Sequence, residues 1–318
     1  MRLSLLKAPT LVLALIGILV SSAQAQISKT PSAQQAIREM GHAFNGQVAR
    51  KTRAIYMPLQ KASPEGPGPV SRDIAYGPDN RNRLDVHQPA AGSNGGAPIL
   101  LFLHGGGFRR GDKSRGGLIY DNVLKYMARN GVLGVNANYR FAPKHQWPSG
   151  PEDIARILTW LKANAGKFGG DPDRIFLMGH SAGARHVAAY TFIEKFQADG
   201  GKDGVKGVIL ASGNFRANIK RRVDRAYFGD DASKYPERTT LNHLKGRRIP
   251  LFIVVAELDI PTVSKASAEL TAAICARDGR CPRQAKIAGH NHLSVVYHIN
   301  TADESLGPVL VEFINQTK

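Results

Sequence analysis

The chain is short of acidic residues, cysteine and aromatics, and each shortage excludes something. Against 43 lysines and arginines stand only 25 aspartates and glutamates, a formal charge of +18. Such an excess attracts anionic surfaces, polymers or substrates. The basic residues are spread along the chain, however, and aromatics make up only 7% of it, with no aromatic–basic interleaving. The stacking platforms of single-strand nucleic-acid binders are therefore missing, and no nucleic-acid partner is expected. The only two cysteines, Cys275 and Cys281, are spaced C-x5-C with no local histidine, which is a poor zinc pattern. No G-x-x-x-x-G-K-[ST] string occurs, so the glycine-rich stretches are not a P-loop. Neither a metal nor an organic cofactor is expected. Beyond residue 25 there is no run of 18 apolar residues, so no stable membrane insertion is expected there.

What is present begins with an address. Arg2 and Lys7 precede an apolar core from Leu11 to Val20, and Ala23-Gln24-Ala25 follows as an A-x-A cleavage site. This predicts a signal peptide over 1–25, a mature chain starting at Gln26, and a periplasmic or secreted protein. Losing Arg2 and Lys7 takes the formal charge from +18 to +16. In an oxidising compartment the cysteine pair predicts a Cys275–Cys281 disulfide, tying the end of a helix to the next strand.

No inter-domain linker is visible after about Val70, so the remainder reads as an N-terminal arm or lid segment over 26–69 and one α/β domain over 70–318. Short strands are expected at 73–76 and 84–87. Pro98 to Leu103, Val132 to Ala137, Arg174 to Met178, Val205 to Ala211 and Pro250 to Ala256 are apolar runs. Such runs suit parallel strands buried on both faces, and helical patterns alternate with them. Residues 214–246 form the longest irregular insertion, a lid or pocket wall. Its Arg216, Lys220, Arg221, Arg222 and Arg225 read as a solvated face rather than an anion site.

Four strand ends carry chemistry. Gly179-His180-Ser181-Ala182-Gly183 is a G-x-S-x-G string between an apolar strand and a helix. That turn is sharp and strained, needs small flanking residues, and lifts a serine above the sheet edge. His104-Gly105-Gly106-Gly107-Phe108 leaves an earlier strand; a loop without side chains lets backbone N–H groups approach a developing oxyanion. Glu257-Leu258-Asp259 leaves the Pro250 strand, and Asp259 is the favoured acid partner with Glu257 the alternate. Gly289-His290-Asn291-His292-Leu293 offers two histidines. Asp153, in the first turn of a helix, reads as structural.

With the order serine, acid, histidine, the chain resembles the α/β-hydrolase superfamily, specifically its HGGG-type carboxylesterase and lipase branch with feruloyl-esterase-like and arylformamidase-like relatives. The matching pieces are H-G-G-G-F at 104–108, N-Y-R-F-A-P at 138–143, G-H-S-A-G-A at 179–184, and the Asp259 and His292 loops. The resemblance implies a mostly parallel sheet with helices on both faces and a small lid. It implies a triad of Ser181, Asp259 and His292, with His292 preferred to His290 because it stands in Asn291-His292-Leu293. It implies an oxyanion hole of Gly106, Gly107 and Ala182, and a small-molecule or carbohydrate-linked ester as substrate. Phe108, Tyr227 and Phe228 are the pocket candidates. The chain departs from its relatives at Thr239-Thr240, where they usually carry Ser-Pro. An amidase or peptidase with the same triad, and a non-catalytic binding protein on the same scaffold, are the alternatives.

Overall fold

The apolar runs become strands because both of their faces are covered. In β3 (Ala97–Leu103), Ile99, Leu101 and Leu103 enter one hydrophobic core while Leu100 and Phe102 enter the other. The same two-residue period splits β5 (Gly170–His180), β6 (Val205–Ala211) and β7 (Leu251–Leu258), so the sheet separates two cores. The computed structural model describes residues 32–90 and 96–317; the segment 1–25 read as a signal peptide lies outside the described residues.

Among these residues the sheet has eight strands in the order β1-β2-β4-β3-β5-β6-β7-β8. The remaining strands are β1 (Val70–Ala75), β2 (Arg83–His87), β4 (Leu133–Ala137) and β8 (Arg283–Asn291). β1–β2 and β2–β4 pair antiparallel and every later pair is parallel. The C-terminal ends of β3, β5, β6, β7 and β8 therefore share one edge, where open α/β sheets place their sites.

The helices are α1 (Ala33–Met40), α2 (Gly46–Lys61), α3 (Asp121–Arg129), α4 (Ser149–Asn164), α5 (Ala182–Phe192), α6 (Arg222–Phe228), α7 (Pro261–Asp278), α8 (Ser294–Tyr297) and α9 (Gly307–Gln316). α4, α5 and α7 cover one face; α1, α2, α3, α8 and α9 supply the other core. No described helix is long and apolar enough to cross a membrane.

The segment read as an arm packs closely on the rest. Ile37 and Tyr56 are buried in the second core. Gln60 donates to the carbonyls of Tyr297 and Ile299, and Thr52 accepts from Asn291 at 2.8 Å. Cys275 and Cys281 are bonded, joining the last turn of α7 to the chain entering β8. The lid-like insertion is less irregular than expected, since it contains α6. Asp153 is fully buried and accepts from the Arg140 backbone N–H and guanidinium, both at 2.8 Å, which anchors the turn after β4 to α4.

Candidate active site

Ser181 sits at the turn from β5 into α5 with φ +56°, a left-handed conformation that costs energy for any residue with a side chain. The surroundings hold it there. A Cβ on Gly179 would lie 2.4 Å from the Gly183 carbonyl carbon, and one on Gly183 would lie 2.2 Å from the Leu103 carbonyl oxygen. Both glycines are needed because backbone passes where a side chain would start.

The Ser181 hydroxyl lies 2.9 Å from His292 Nε2, and His292 Nδ1 lies 2.7 Å from Asp259 Oδ1. Donation from Nδ1–H to the carboxylate leaves Nε2 free to accept from the serine hydroxyl. Asp259 is fully buried at the end of β7. Burial pushes its pKa up, but the neighbouring His292 and hydrogen bonds from His292, Ser212 and the Ile260 N–H outweigh that and hold it below the usual carboxylate value. The alternates lie elsewhere. Glu257 binds the Gly289 N–H at 2.7 Å and Arg38 at 3.0 Å. His290 is held by Asp303 at 3.0 Å and Ser294 at 3.1 Å.

Gly105, Gly106, Gly107 and Ala182 line the pocket beside Ser181. Ala182 opens α5, so its N–H has no partner within the helix and points to the end that favours negative charge. Gly106 has φ +143°, and a Cβ there would fall 1.7 Å from the Arg110 carbonyl oxygen. The loop can fold back on itself at this point only without a side chain. His104 beneath it is buried, bonded to the Gly105 carbonyl at 2.7 Å and stacked on Tyr139; burial pushes its pKa down to about 4. It organises the loop and does not face the pocket.

Several supporting residues carry no readable role in the sequence. Ser212, just past β6, donates its hydroxyl to Asp259 Oδ2. His180 contacts the His292 carbonyl oxygen through Nε2 at 2.7 Å, and burial beside His292 pushes its pKa down to about 3, so it donates as a neutral ring. Phe44, between α1 and α2, sets its ring edgewise to His292 with centroids 4.8 Å apart. A serine or phenylalanine in a loop carries no sequence signal of its own; only the G-x-S-x-G position of His180 marked it.

The pocket is a cavity of about 950 Å³, walled by α2, the glycine loop and the start of α6. Phe108 lines it. Tyr227 and Phe228, expected there too, are buried behind Phe108; Tyr227 stacks on it with centroids 4.4 Å apart. Their bulk shapes the wall from behind because α6 turns its aromatic face inward and its arginine end toward the cavity.

The sheet order and the helices on both of its faces are those of the α/β-hydrolase fold. The solved hyperthermophilic esterase of Pyrobaculum calidifontis superposes with a TM-score of 0.68 over 90% of this chain and 96% of that one, at 20% identity. A truncated carbohydrate esterase from gut microbiota superposes at 0.67 over 80% and 98%, at 13% identity. These likenesses are of fold. The BD-FAE family model matches residues 84–199. Esterase LipC of Mycobacterium tuberculosis is 28% identical over 63% of this chain and 52% of its own length. The versiconal hemiacetal acetate esterase of Dothistroma septosporum is 31% identical over 49% and 47%. The matches thus span about half the length of these relatives. The chain thus has the α/β-hydrolase fold and is similar in sequence to carboxylesterases over part of its length.

Proposed function

We propose that the protein is an exported serine esterase that cleaves carboxylic esters through an acyl-enzyme. The observation that carries this reading is the continuous hydrogen-bonded line from Ser181 Oγ through His292 to Asp259 at the shared strand edge. His292 Nε2 takes the Ser181 proton as Oγ attacks the ester carbonyl carbon. The resulting oxyanion accepts hydrogen bonds from the N–H groups of Gly106, Gly107 and Ala182. Collapse breaks the ester C–O bond, and the His292 proton goes to the leaving alcohol. Water then attacks the acyl-serine with His292 again as base, releasing the acid and restoring Ser181. Buried Asp259 stays ionised, holds the His292 tautomer and stabilises the transient imidazolium. Export rests on the leader at 1–25, and Edman sequencing of the secreted chain is expected to begin at Gln26.

Hydrolysis of p-nitrophenyl acetate, butyrate and octanoate tests the reading. The wild-type chain is expected to turn over at least one of them, and Ser181→Ala to lose roughly four orders of magnitude or more in kcat. Retained turnover in the purified variant, or none in the wild type, would overturn it. The chain-length profile sizes the acyl pocket.

A further inference from the structure

The charge of this pocket has one sign. Its described lining includes Arg50, Arg53, Arg109, Arg110, Arg115 and Arg222, and no aspartate or glutamate side chain. Among the described residues none of these six arginines forms an ion pair. Two further lining arginines, Arg185 and Arg221, share the buried carboxylate of Asp224, at 2.7 and 3.8 Å. The collar is assembled from separate elements. Arg50 and Arg53 stand three residues apart on one face of α2, Arg109, Arg110 and Arg115 follow the glycine loop, and Arg222 opens α6.

Residue type sharpens the observation. The chain contains 25 arginines and 18 lysines, yet the lining contains arginines and no lysine. A solubilising charge would not discriminate between them, whereas the planar guanidinium fork suits bidentate binding of carboxylate and phosphate. Arg53 Nε and Arg221 Nη1 are moreover buried with no hydrogen-bond partner, and buried donors are almost always satisfied. An anion in the cavity would relieve the mutual repulsion of the collar.

The geometry points to a polyanionic substrate: a small ester carrying two or more carboxylate or phosphate charges, held by the arginine collar with its ester carbonyl at Ser181. This rests on the esterase reading for the reaction, and the anion site stands independently of it. The collar residues are specificity determinants; they take no part in bond making.

The test is therefore made in two arms. Ser181→Ala protein is titrated calorimetrically with inorganic pyrophosphate and with tricarballylate. Sub-millimolar binding of either is expected at about 0.1 M salt, weakening at least about tenfold toward 1 M as the screening length falls from about 10 to about 3 Å. Adding Arg109→Gln with Arg110→Gln should weaken it about tenfold or more. The pair Arg248→Gln with Arg280→Gln removes the same charge away from the pocket and should change it less than about threefold. The preferred anion distinguishes phosphoryl from carboxylate recognition. In the second arm the active enzyme is given the mono-p-nitrophenyl ester of tricarballylate, which keeps two carboxylates, and p-nitrophenyl butyrate; kcat/KM should favour the charged ester by about tenfold, and the ratio should fall in the Arg109/Arg110 double variant. No anion binding, or equal weakening by both arginine pairs, would overturn the proposal even with neutral esters hydrolysed. Anion binding without hydrolysis of any ester would keep the site and remove the esterase reading.

Discussion

Ser212→Ala isolates one hydrogen bond behind the proposed triad. Asp259 Oδ2 accepts from the Ser212 hydroxyl and, at a long 3.4 Å, from the Ala256 N–H; Oδ1 keeps His292 at 2.7 Å and the Ile260 N–H at 2.8 Å. Removing the hydroxyl leaves Oδ2 almost bare in a fully buried position. Hydrogen bonds to a charged acceptor are worth about 1.5–3 kcal/mol. Ser212 has φ +53°, a conformation alanine tolerates no worse, so the substitution adds little backbone strain. Asp259 is ionised in ground and transition states alike, so only part of the loss reaches the rate. With about half, about 1 kcal/mol, expressed there, kcat falls roughly fivefold with KM little changed. The rest, about 1 kcal/mol, lowers Tm by about 2–4 °C for a domain of this size. The stability difference also has a pH signature. Asp259's folded pKa is depressed below its ordinary value, so its contribution is complete above the unfolded value of about 3.9 and is lost as pH falls through the folded value. Wild type and variant should differ fully at pH 7 and converge in acid. Steady-state kinetics and thermal melts at both pH values read this out. An unchanged kcat, or a stability gap that persists in acid, would refute the reasoning.

Two other perturbations probe the frame. Gly183→Ala would normally favour a helix by about 1 kcal/mol, but here its Cβ meets the Leu103 and His104 carbonyl oxygens at 2.2 and 2.8 Å. Urea unfolding should show a net loss of about 2 kcal/mol or more with activity abolished; a stabilised variant would contradict the packing argument. Replacing Cys275 and Cys281 together by serine opens a short loop, for which the chain-entropy model gives a loss of about 2 kcal/mol. Because that loop adjoins the β8 end opposite Asn291, kcat below the melting transition should stay at the wild-type value, and a fall there with native circular dichroism would count against it.

The central strands were legible because burial on both faces writes them as unbroken apolar runs; Val205–Ala211 was read with its observed limits. The G-x-S-x-G turn was legible because its glycines answer backbone contacts that no other residue survives. What escaped was whatever depends on tertiary neighbours. α2 carries little apolar pattern around Arg50, Lys51 and Arg53, so its role as a pocket wall shows only once Tyr56 and Gln60 are docked. Arg216, Lys220, Arg222 and Arg225 are exposed, as a solvated face requires, but that Arg221 and Arg222 also line the pocket depends on companions from α2 and the glycine loop more than a hundred residues away in the chain. Tyr227 and Phe228 are pocket candidates in the sequence because they lie in the insertion over 214–246 that reads as a lid or pocket wall. Asp224, buried against Arg185, instead fixes α6 with that pair inward.

The docking of α2 also sets a timetable. Its anchors on Asn291, Tyr297 and Ile299 are separated from it by 237 to 239 residues, among the longest loops a domain of this size can close. α2 is made well before those partners. Pairing at that separation is slow to form, so the cavity wall bearing Arg50 and Arg53 closes only after β8 is made. A nascent chain halted before that strand would display the serine turn on a half-built sheet yet have neither His292 nor the α2 wall beside it. The proposed triad and its pocket wall are thereby completed together, only once the strand leading to His292 is in place.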